Sequence, residues 1–342
     1  MAIADNVLGR LVRFNAARGK TGDREPRSFR RGLGAVLLRS IGVLRWMVVL
    51  AILSLIGWGV HYEMRTSYLE AWIFTRLDRG MSFAAQPGPS EAIRFPKHGP
   101  YDERLGYVAL PQSISALEQR HFAVERQARW SRGLERFVGL GAFPIYAEKD
   151  RAGLRIFDRN GDEVYGTRFP LNAFRDYASI PPLVVNSLLF IEDRYLFDNR
   201  YPEHNAAVEW NRFALAVFGR VLRFVVPGFN EGGASTLATQ IEKFRHSPNG
   251  LTGGVGEKLR QMLTASAHVY INGADTMDRR REIVTTYLNS TPLSSFPGYG
   301  EVIGLPDALY VWFGTDFNEA AKVLTGTLKN KKEWAHKGEI YR

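Results

Sequence analysis

An uncharged apolar run near the N-terminus constrains this chain more than any other feature of its sequence. Trp46–Val60 contains no charged side chain, and within residues 41–62 only Arg45 is a permanent cation. At about 1.5 Å per residue, a helix over 41–62 covers about 33 Å, close to the hydrocarbon thickness of a bilayer. Arg45 can extend to the headgroups, and Trp46 and Trp58 suit the two interfaces. The run therefore predicts a single membrane-spanning helix over residues 41–62.

The charge of the chain is concentrated before this run. The 342 residues include 45 Lys and Arg against 35 Asp and Glu, and residues 1–45 hold ten basic and three acidic side chains. By the positive-inside rule, residues 1–40 are predicted to be a basic cytoplasmic tail, with the C-terminal part outside the cytoplasm. This pattern favours a single-pass signal anchor in the cell (inner) membrane over a buried core helix or a cleaved signal peptide. The remaining charge is nearly balanced, which argues against a nucleic-acid-binding domain.

Three parts are predicted beyond the span: a membrane-proximal region of unknown role over 63–150, a domain over 151–325 and a C-terminal tail over 326–342. Leu154–Tyr165 reads as a β-hairpin around Asn160-Gly161. Most of the other segments have helical periodicity. Helices are expected at Ser67–Leu77, around Ser113–Arg132, and at Leu183–Phe197, Trp210–Val226, Lys258–Ile271, Met277–Asn289 and Gly304–Phe313, with one more capped by Ser235 or Thr236 and ending at Phe244. Trp210–Val226 and the segment near Trp72 are candidates for a membrane-facing surface, with core packing as the alternative.

Two polar segments carry candidate chemistry. Glu192 and Asp193 follow the apolar run 183–190, and apolar surroundings raise the pKa of a carboxyl group and suit it to proton transfer near neutral pH. The alternative is a helix-end acid paired with Arg194. In the second segment, the small residues 232–236 open a helix and let backbone N–H groups approach an anion, to which Lys243 adds a positive charge. The alternative there is an ordinary capped helix.

A third segment, Glu257-Lys258-Leu259-Arg260-Gln261, looks by itself like a charged helix surface. Together, the three segments resemble the peptidoglycan glycosyltransferase domain of class A penicillin-binding proteins and their monofunctional relatives, glycosyltransferase family 51. The resemblance covers roughly residues 153–315. Matching positions are Ile191-Glu192-Asp193-Arg194 for the first motif, Gly233-Ala234-Ser235-Thr236-Leu237 with Gln240 and Lys243 for the second, Lys258 with Ala265 for the third, and Tyr287-Leu288-Asn289 and Tyr299-Gly300 for later structural motifs.

The sequence departs from the family pattern at several of these positions. The second glutamate of the family falls on Gln261, and the arginine of the third motif falls on Glu257. The phenylalanine and histidine of the first motif fall on Leu196 and Asn199. Because Glu257 precedes Gln261 by about one helical turn on the same face, it is a candidate for the missing carboxylate.

The resemblance implies a mainly α, lysozyme-like helical glycosyltransferase domain with a small β-hairpin, preceded by a single N-terminal transmembrane helix. It implies polymerisation of lipid II into β-1,4-linked glycan strands with inversion, Glu192 acting as general base and Gln261 occupying the second catalytic position. The implied substrate and pyrophosphate ligands are Arg194, Ser235, Thr236, Gln240, Lys243, Lys258 and Arg260. A divalent metal (Mg or Mn) is implied, without identified ligands. The partners implied are lipid II, the growing glycan strand, the membrane and other cell-wall synthesis proteins.

Two other functions remain open at this point. A catalytically weakened or inactive family member would act as a scaffold for cell-wall assembly, and Gln261 and Asn199 favour this. A lysozyme-type glycan hydrolase also needs a glutamate in an apolar pocket, but it leaves the cationic second and third segments unexplained.

Overall fold

The N-terminal apolar run lies within a 40-residue helix, α1 (Arg27–Thr66). In this computed structural model the described residues are 27–90, 104, 109–145, 151–222, 235–326 and 331–341. Among them, Gly42–Thr66 is a helix long and apolar enough to cross a membrane. Its large side chains are exposed, as Trp46 and Trp58 illustrate, which is consistent with the predicted anchor. Its orientation remains a prediction, and residues 1–26 of the predicted tail lie outside the described part.

Two compact units divide the chain, one ending at Gly59 and the other beginning at Val60. The second unit is mainly helical. Its helices after α1 are α2 (Tyr68–Asp78), α3 (Leu110–Glu118), α4 (Arg132–Gly139), α5 (Pro182–Ile191), α6 (Trp210–Leu222), α7 (Leu237–His246), α8 (Val255–Val269), α9 (Met277–Ser290), α10 (Gly304–Phe313), α11 (Phe317–Thr325) and α12 (Lys331–Tyr341). Across the described ranges, the strands form three two-stranded antiparallel hairpins: β1 (Phe83–Pro87) with β2 (Arg126–Trp130), β3 (Ala152–Phe157) with β4 (Glu163–Phe169), and β5 (Pro292–Phe296) with β6 (Gly300–Ile303).

The membrane-proximal region begins with α2, the helix that the sequence predicts at Ser67–Leu77. Ser67 leaves the helical conformation (φ 53°), and the Glu63 carboxylate accepts the backbone N–H groups of Leu69 and Glu70 at 3.0 Å. One face of α2 enters the core, where Phe74 stacks on Tyr270 at 5.9 Å. The opposite face leaves apolar side chains in solvent. The core packing that the sequence allowed for the segment near Trp72 is therefore present on one face of α2, and a membrane-facing role for the exposed face stays a prediction.

The helix predicted around Ser113–Arg132 is wrong in its second half. α3 ends at Glu118, and His121 takes a left-handed conformation with φ 66°. The chain then pairs as strand β2 with β1, from Phe83 opposite Trp130 to Pro87 opposite Arg126. Strand β1, about 40 residues earlier in the chain, forms the backbone hydrogen bonds of this segment. Local periodicity does not reveal such a distant partner, so the sequence predicts a helix instead.

The predicted hairpin is present and longer than expected, as β3 and β4. Asp158 fixes its turn, because its Oδ1 accepts the backbone N–H groups of Asn160 and Asp162 at 2.8 and 2.9 Å. Gly161 supplies the positive φ (89°) that the Asn-Gly signal predicts. At the base of the hairpin, the buried Asp307 accepts the N–H groups of Leu171 and Asn172, which ties the hairpin to α10.

The main hydrophobic core lies beneath α5, α7, α8 and α9. It contains Val185, Leu237, Ile241, Ala265, Val269, Val284 and Leu288, all buried. Each of these four helices contributes buried apolar side chains to this core. The candidate site is built from polar residues at the end of α5, at the start of α7 and along α7 and α8.

Candidate active site

Glu192 stands at the point where α5 ends. Pro181 and Pro182 begin this helix, and Glu192 donates its backbone N–H to the Leu188 carbonyl at 2.9 Å as the C-cap residue. The sequence predicted the helix to continue to Phe197, which is wrong. The Asp193 carboxylate accepts the N–H of Tyr195 at 3.2 Å and starts a turn in place of another helical turn.

The two carboxylates of the first motif occupy different environments. Asp193 is buried, and burial raises its pKa, an effect opposed by the Tyr195 N–H and by the charge of Arg212. Glu192 is half-buried at the rim. The pKa increase expected for a carboxyl group in this motif is therefore found at Asp193, while Glu192 keeps access to a ligand.

Gln240 orients the Glu192 side chain. Its Nε2 donates to Glu192 Oε2 at 2.9 Å, and its Oε1 accepts from the Tyr287 hydroxyl at 3.3 Å. The amide is thereby fixed with its N–H group toward the carboxylate, and the second oxygen of Glu192 remains available for a proton. Thr236 positions Gln240, because it caps α7 in a reciprocal capping box with Thr239.

The backbone at Glu192 is also held in place. Arg212 on α6 donates from Nη1 to the Glu192 carbonyl at 3.0 Å and pairs with Glu209 at 3.7 Å. Arg280 on α9, only 1% exposed, binds the loop that follows. Its guanidinium donates to the carbonyl oxygens of Leu196, Asp198, Tyr201, Pro202 and His204, and to the Thr276 hydroxyl. The loop leaving Glu192 is therefore organised around one buried cation.

Two lysines bring positive charge to the same place. Burial lowers the pKa of Lys243, and the negative charge of Glu192 opposes that shift. Lys258 donates from Nζ to Ser235 Oγ at 2.8 Å and lies 3.4 Å from Thr239 Oγ1. Burial, reinforced by the charge of Lys243, lowers the pKa of Lys258 to about 8. Lys243 thus interacts electrostatically with both Glu192 and Lys258, an arrangement suited to a ligand that carries negative charge.

Gln261 does not reach this cleft. It is 1% exposed, and its Nε2 donates to Ser247 Oγ at 2.8 Å and to Thr252 Oγ1 at 3.1 Å. Glu257 accepts from the same Ser247 hydroxyl at 2.5 Å and lies 3.4 Å from Arg260. The Gln261 and Glu257 side chains therefore both hydrogen-bond to Ser247 and support its loop. Glu257 is already paired there, with the Ser247 hydroxyl and Arg260.

Two predicted ligands lie apart from the cluster. Arg194 is exposed, donates to the Phe190 carbonyl at 3.0 Å and covers the Phe190 ring at 4.1 Å. Arg260 follows Lys258 by two residues, about 200° around a helix. It donates to the Gly141 carbonyl at 2.5 Å and covers the Phe143 ring at 4.8 Å. The structure thus brings together Glu192, Ser235, Thr236, Gln240, Lys243 and Lys258, while Gly232-Gly233-Ala234 lies outside the described residues.

An apolar rim surrounds Glu192. Phe190, Ile191 and Tyr195 are 64%, 75% and 72% exposed. On α6, Trp210 and Phe213 pack toward the core while Leu215 is exposed, so this helix combines core packing with an exposed apolar face. The segment from 223 to 226 lies outside the described part.

Several residues that shape the site were not singled out from the sequence. The sequence points to Asp193 only as the partner of Glu192 in a carboxylate pair, and it assigns no role to Arg212, Thr239 or Arg280. Arg280 is the middle one of three consecutive arginines, and only the inward face of α9 distinguishes it from Arg279 and Arg281. In the sequence, Arg280 differs from its neighbours because it precedes the apolar Ile283 and Val284 by three and four residues, which places it on their buried side of the helix.

The described residues at the site do not form a ligand set for a resident divalent cation. Within the described ranges, no group of three or more His, Asp and Glu side chains is arranged to hold a metal. At the cleft, Glu192 shares its surroundings with two cations, and Gln261 is a neutral amide directed elsewhere.

The comparison with known families decides what this cluster belongs to. Residues 168–334 match the family model described as Transglycosylase. This part of the chain belongs to the transglycosylase family. The match includes every residue of the cluster, and it confirms the resemblance and the mainly helical fold expected from it. No curated protein sequence matches the chain. The transglycosylase domain supports peptidoglycan glycosyltransferase activity in general, with a lipid-linked glycan as the implied substrate.

Proposed function

We propose that this protein is a membrane-anchored peptidoglycan glycosyltransferase that polymerises lipid II into β-1,4-linked glycan strands with inversion. Its N-terminus would be cytoplasmic, and its transglycosylase domain would lie outside the cytoplasm. The observation that carries the proposal is Glu192 held by Gln240 at 2.9 Å within electrostatic reach of Lys243.

In the proposed reaction, Glu192 takes the proton from the 4-hydroxyl group of the acceptor sugar. The hydroxyl oxygen attacks the anomeric carbon of the donor from the face opposite the leaving group and forms the new glycosidic bond. The bond from that carbon to the pyrophosphate breaks, and undecaprenyl pyrophosphate leaves with the electron pair. A positioned base contributes about 10²–10⁴-fold to such a step.

The leaving pyrophosphate requires positive charge at the moment its bond breaks. Lys243 and Lys258 supply it, and their partial burial strengthens their interaction with an incoming anion. Ser235 would position Lys258 through its 2.8 Å contact, and Gln240 and Thr236 would position the base. We assign no direct pyrophosphate contact to Arg260, because it is engaged with Gly141 and Phe143.

The lipid part of the substrate needs an apolar surface next to the chemistry. Phe190, Ile191 and Tyr195 provide one directly beside Glu192, and anchoring by α1 would keep the domain at the bilayer where the substrate resides.

Polymerisation of labelled lipid II by the purified full-length chain tests the proposal. Glycan polymer supports it, whereas fragments released from finished glycan would indicate a hydrolase instead.

The pH profile of this reaction provides a test of Lys258. Its ammonium group is charged below a pKa of about 8 and neutral above it. We therefore expect kcat/KM, which reports the free enzyme, to fall as pH rises through about 8. In Lys258→Arg the guanidinium stays charged, so the alkaline decline is expected to move upward by at least about one pH unit.

The matched control is Lys322→Arg, a substitution at an exposed lysine of α11. Its profile should superimpose on that of the unmodified protein. An alkaline limb that stays in place in Lys258→Arg would remove Lys258 from the proposed role.

A non-catalytic scaffold for cell-wall assembly is the second candidate, and the buried Gln261 favours it. If Gln261 merely weakens a standard site, Gln261→Glu is expected to raise the polymerisation rate per folded molecule. The same change replaces an N–H donor to Ser247 and Thr252 by an acceptor, so unfolding free energy should fall by about 1–3 kcal/mol. Rate and unfolding are measured together, with the exposed Gln119→Glu as control. An unchanged or lower rate contradicts the weakened-enzyme account.

A further inference from the structure

The β3–β4 hairpin has two chemically different faces. Alternation along paired strands places Leu154 and Ile156 on one face with Tyr165, and all three are about half exposed. The register pairs Gly153 with Arg168 and Arg155 with Gly166, so the other face alternates arginine and glycine. On this face the Glu163 side chain lies over Gly166, where it reaches Arg155, while Gly153 leaves bare backbone beside Arg168.

A cavity of about 460 Å³ opens on the arginine face, between the hairpin and the segment from Ala173 to Arg175. Among the described residues, four arginines and no acidic side chain line it: Arg151, Arg155, Arg168 and Arg175. Gly153 contributes a bare stretch of backbone. A Cβ atom there would lie 2.3 Å from the Thr167 carbonyl oxygen, so only glycine permits this close strand approach. We refer to these four arginines and Gly153 as the arginine cleft.

Two of the four charges in the arginine cleft are balanced by neighbours. Arg155 pairs with Glu163 (Nε to Oε2, 2.7 Å), and Arg175 pairs with Asp176 at 2.9 Å. Among the residues that the structure describes, Arg151 makes only a 3.4 Å hydrogen bond, to the Ala173 carbonyl. Within the ranges that the structure describes, no ion pair or hydrogen bond is formed by the Arg168 side chain. Counting the described side chains, the cleft therefore retains about two uncompensated positive charges around one space.

Like charges around one cavity repel each other unless an anion occupies it. The planar guanidinium group matches phosphate and carboxylate oxygens through paired N–H donors. A phosphate group offers three oxygens and up to two negative charges, which corresponds to the two charges left by Arg151 and Arg168. A volume of about 460 Å³ also leaves room for the alcohol portion of a phosphoester.

We propose that the arginine cleft is a binding site for a phosphoester, with Arg151 and Arg168 as its principal phosphate ligands. This site shares no residue with the Glu192 cluster and does not depend on the proposed glycosyltransferase function. A phospholipid headgroup and a soluble phosphoester present the same group to the cleft, so the experiment must separate these two sources.

The test measures binding to the full-length protein in an uncharged detergent by titration calorimetry. Glycerol 3-phosphate is the phosphoester probe, inorganic phosphate the minimal probe and succinate the carboxylate probe. We expect saturable binding of glycerol 3-phosphate, weaker binding of inorganic phosphate and weaker binding still of succinate. Arg168→Gln and Arg151→Gln should each weaken glycerol 3-phosphate binding about tenfold, the effect of one charge-assisted pair.

Arg159→Gln is the matched control, because Arg159 lies in the turn of the same hairpin, exposed and outside the cleft. Arg168→Lys keeps the charge without the paired donors and should lie between Arg168→Gln and the unmodified protein. Far-ultraviolet circular dichroism of each variant verifies folding. Equal weakening by Arg159→Gln, succinate binding as tight as phosphoester binding, or absence of saturation would each overturn the proposal.

The source of the phosphate group is resolved in a second arm. The same variants are titrated with micelles doped with phosphatidic acid and with undoped micelles. Arginine-dependent binding of the doped micelles identifies a lipid headgroup, and arginine-dependent binding of glycerol 3-phosphate alone identifies a soluble phosphoester. Either result supports the site, whereas binding of doped micelles that Arg151→Gln and Arg168→Gln leave unchanged counts against it.

Discussion

Replacing Glu192 by Gln is expected to lower the rate of lipid II polymerisation by about 10²–10⁴-fold, the contribution of a positioned base. The amide has nearly the same shape, and its oxygen can still accept the 2.9 Å hydrogen bond from Gln240. What disappears is the ability to take a proton from the acceptor hydroxyl. Binding of the lipid substrate should change much less, because Lys243 and Lys258 are untouched.

The measurement is polymer formed from labelled lipid II, with substrate binding followed separately. Glu203→Gln is the matched control. Glu203 is a half-buried glutamate in the loop that follows Glu192, and its main-chain carbonyl accepts a hydrogen bond from the Tyr270 hydroxyl, a bond that the substitution leaves unchanged. A rate within threefold of the unmodified protein for Glu192→Gln would exclude Glu192 as the base. Because Asp193 is the neighbouring carboxyl group with a raised pKa, Asp193→Asn distinguishes which acid the reaction uses.

Arg280→Met is expected to produce the largest loss of stability, about 3–5 kcal/mol, as for other buried charges whose partners are left behind. The guanidinium is only 1% exposed and donates to five backbone carbonyl groups between residues 196 and 204 and to Thr276. Methionine fills much of the volume but donates no hydrogen bond. The carbonyl groups would remain buried without partners, or the loop after Glu192 would open to water.

Thermal and urea unfolding of the full-length protein in detergent would measure this loss, which corresponds to a shift in Tm of roughly 10 °C. Arg281→Met is the control, because the adjacent Arg281 pairs with the exposed Asp278 on the surface of α9. Equal stability of the two variants would show that Arg280 does not organise the loop. We also expect Arg280→Met to lower the polymerisation rate by more than the decrease in folded protein explains, since the same loop positions Glu192.

Elements with strong local signals were predictable from the sequence. The helix over Gly304–Phe313 was predicted at its observed bounds, and the hairpin was found from Asn160-Gly161. The predictions are wrong where groups distant in sequence form hydrogen bonds with the backbone. Strand β2 replaces half of a predicted helix because β1 pairs with it. Helix α5 stops at Ile191 because the Asp193 carboxylate accepts the Tyr195 N–H group and the buried Arg280 donates to the Leu196 carbonyl group.

The candidate site shows the same division. The resemblance to the family's motifs, in their order along the chain, selects Glu192, Gln240, Lys243 and Lys258. The same resemblance also implies roles for Arg260 and Gln261, which lie close to Lys258 in sequence. Helical rotation takes Arg260 to another side of α8, and burial keeps Gln261 in a network with Ser247.

The sequence by itself therefore determined the apolar helix, the charge asymmetry before it, the order of the polar segments and the transglycosylase resemblance. These features depend on composition and short-range periodicity, which the chain carries before it folds. The tertiary structure alone decided which polar groups share a cleft, that Asp193 is inside and Glu192 at the rim, and that Arg280 holds the connecting loop. Burial and hydrogen-bond partners come from packing between segments distant in sequence, and no local pattern specifies them.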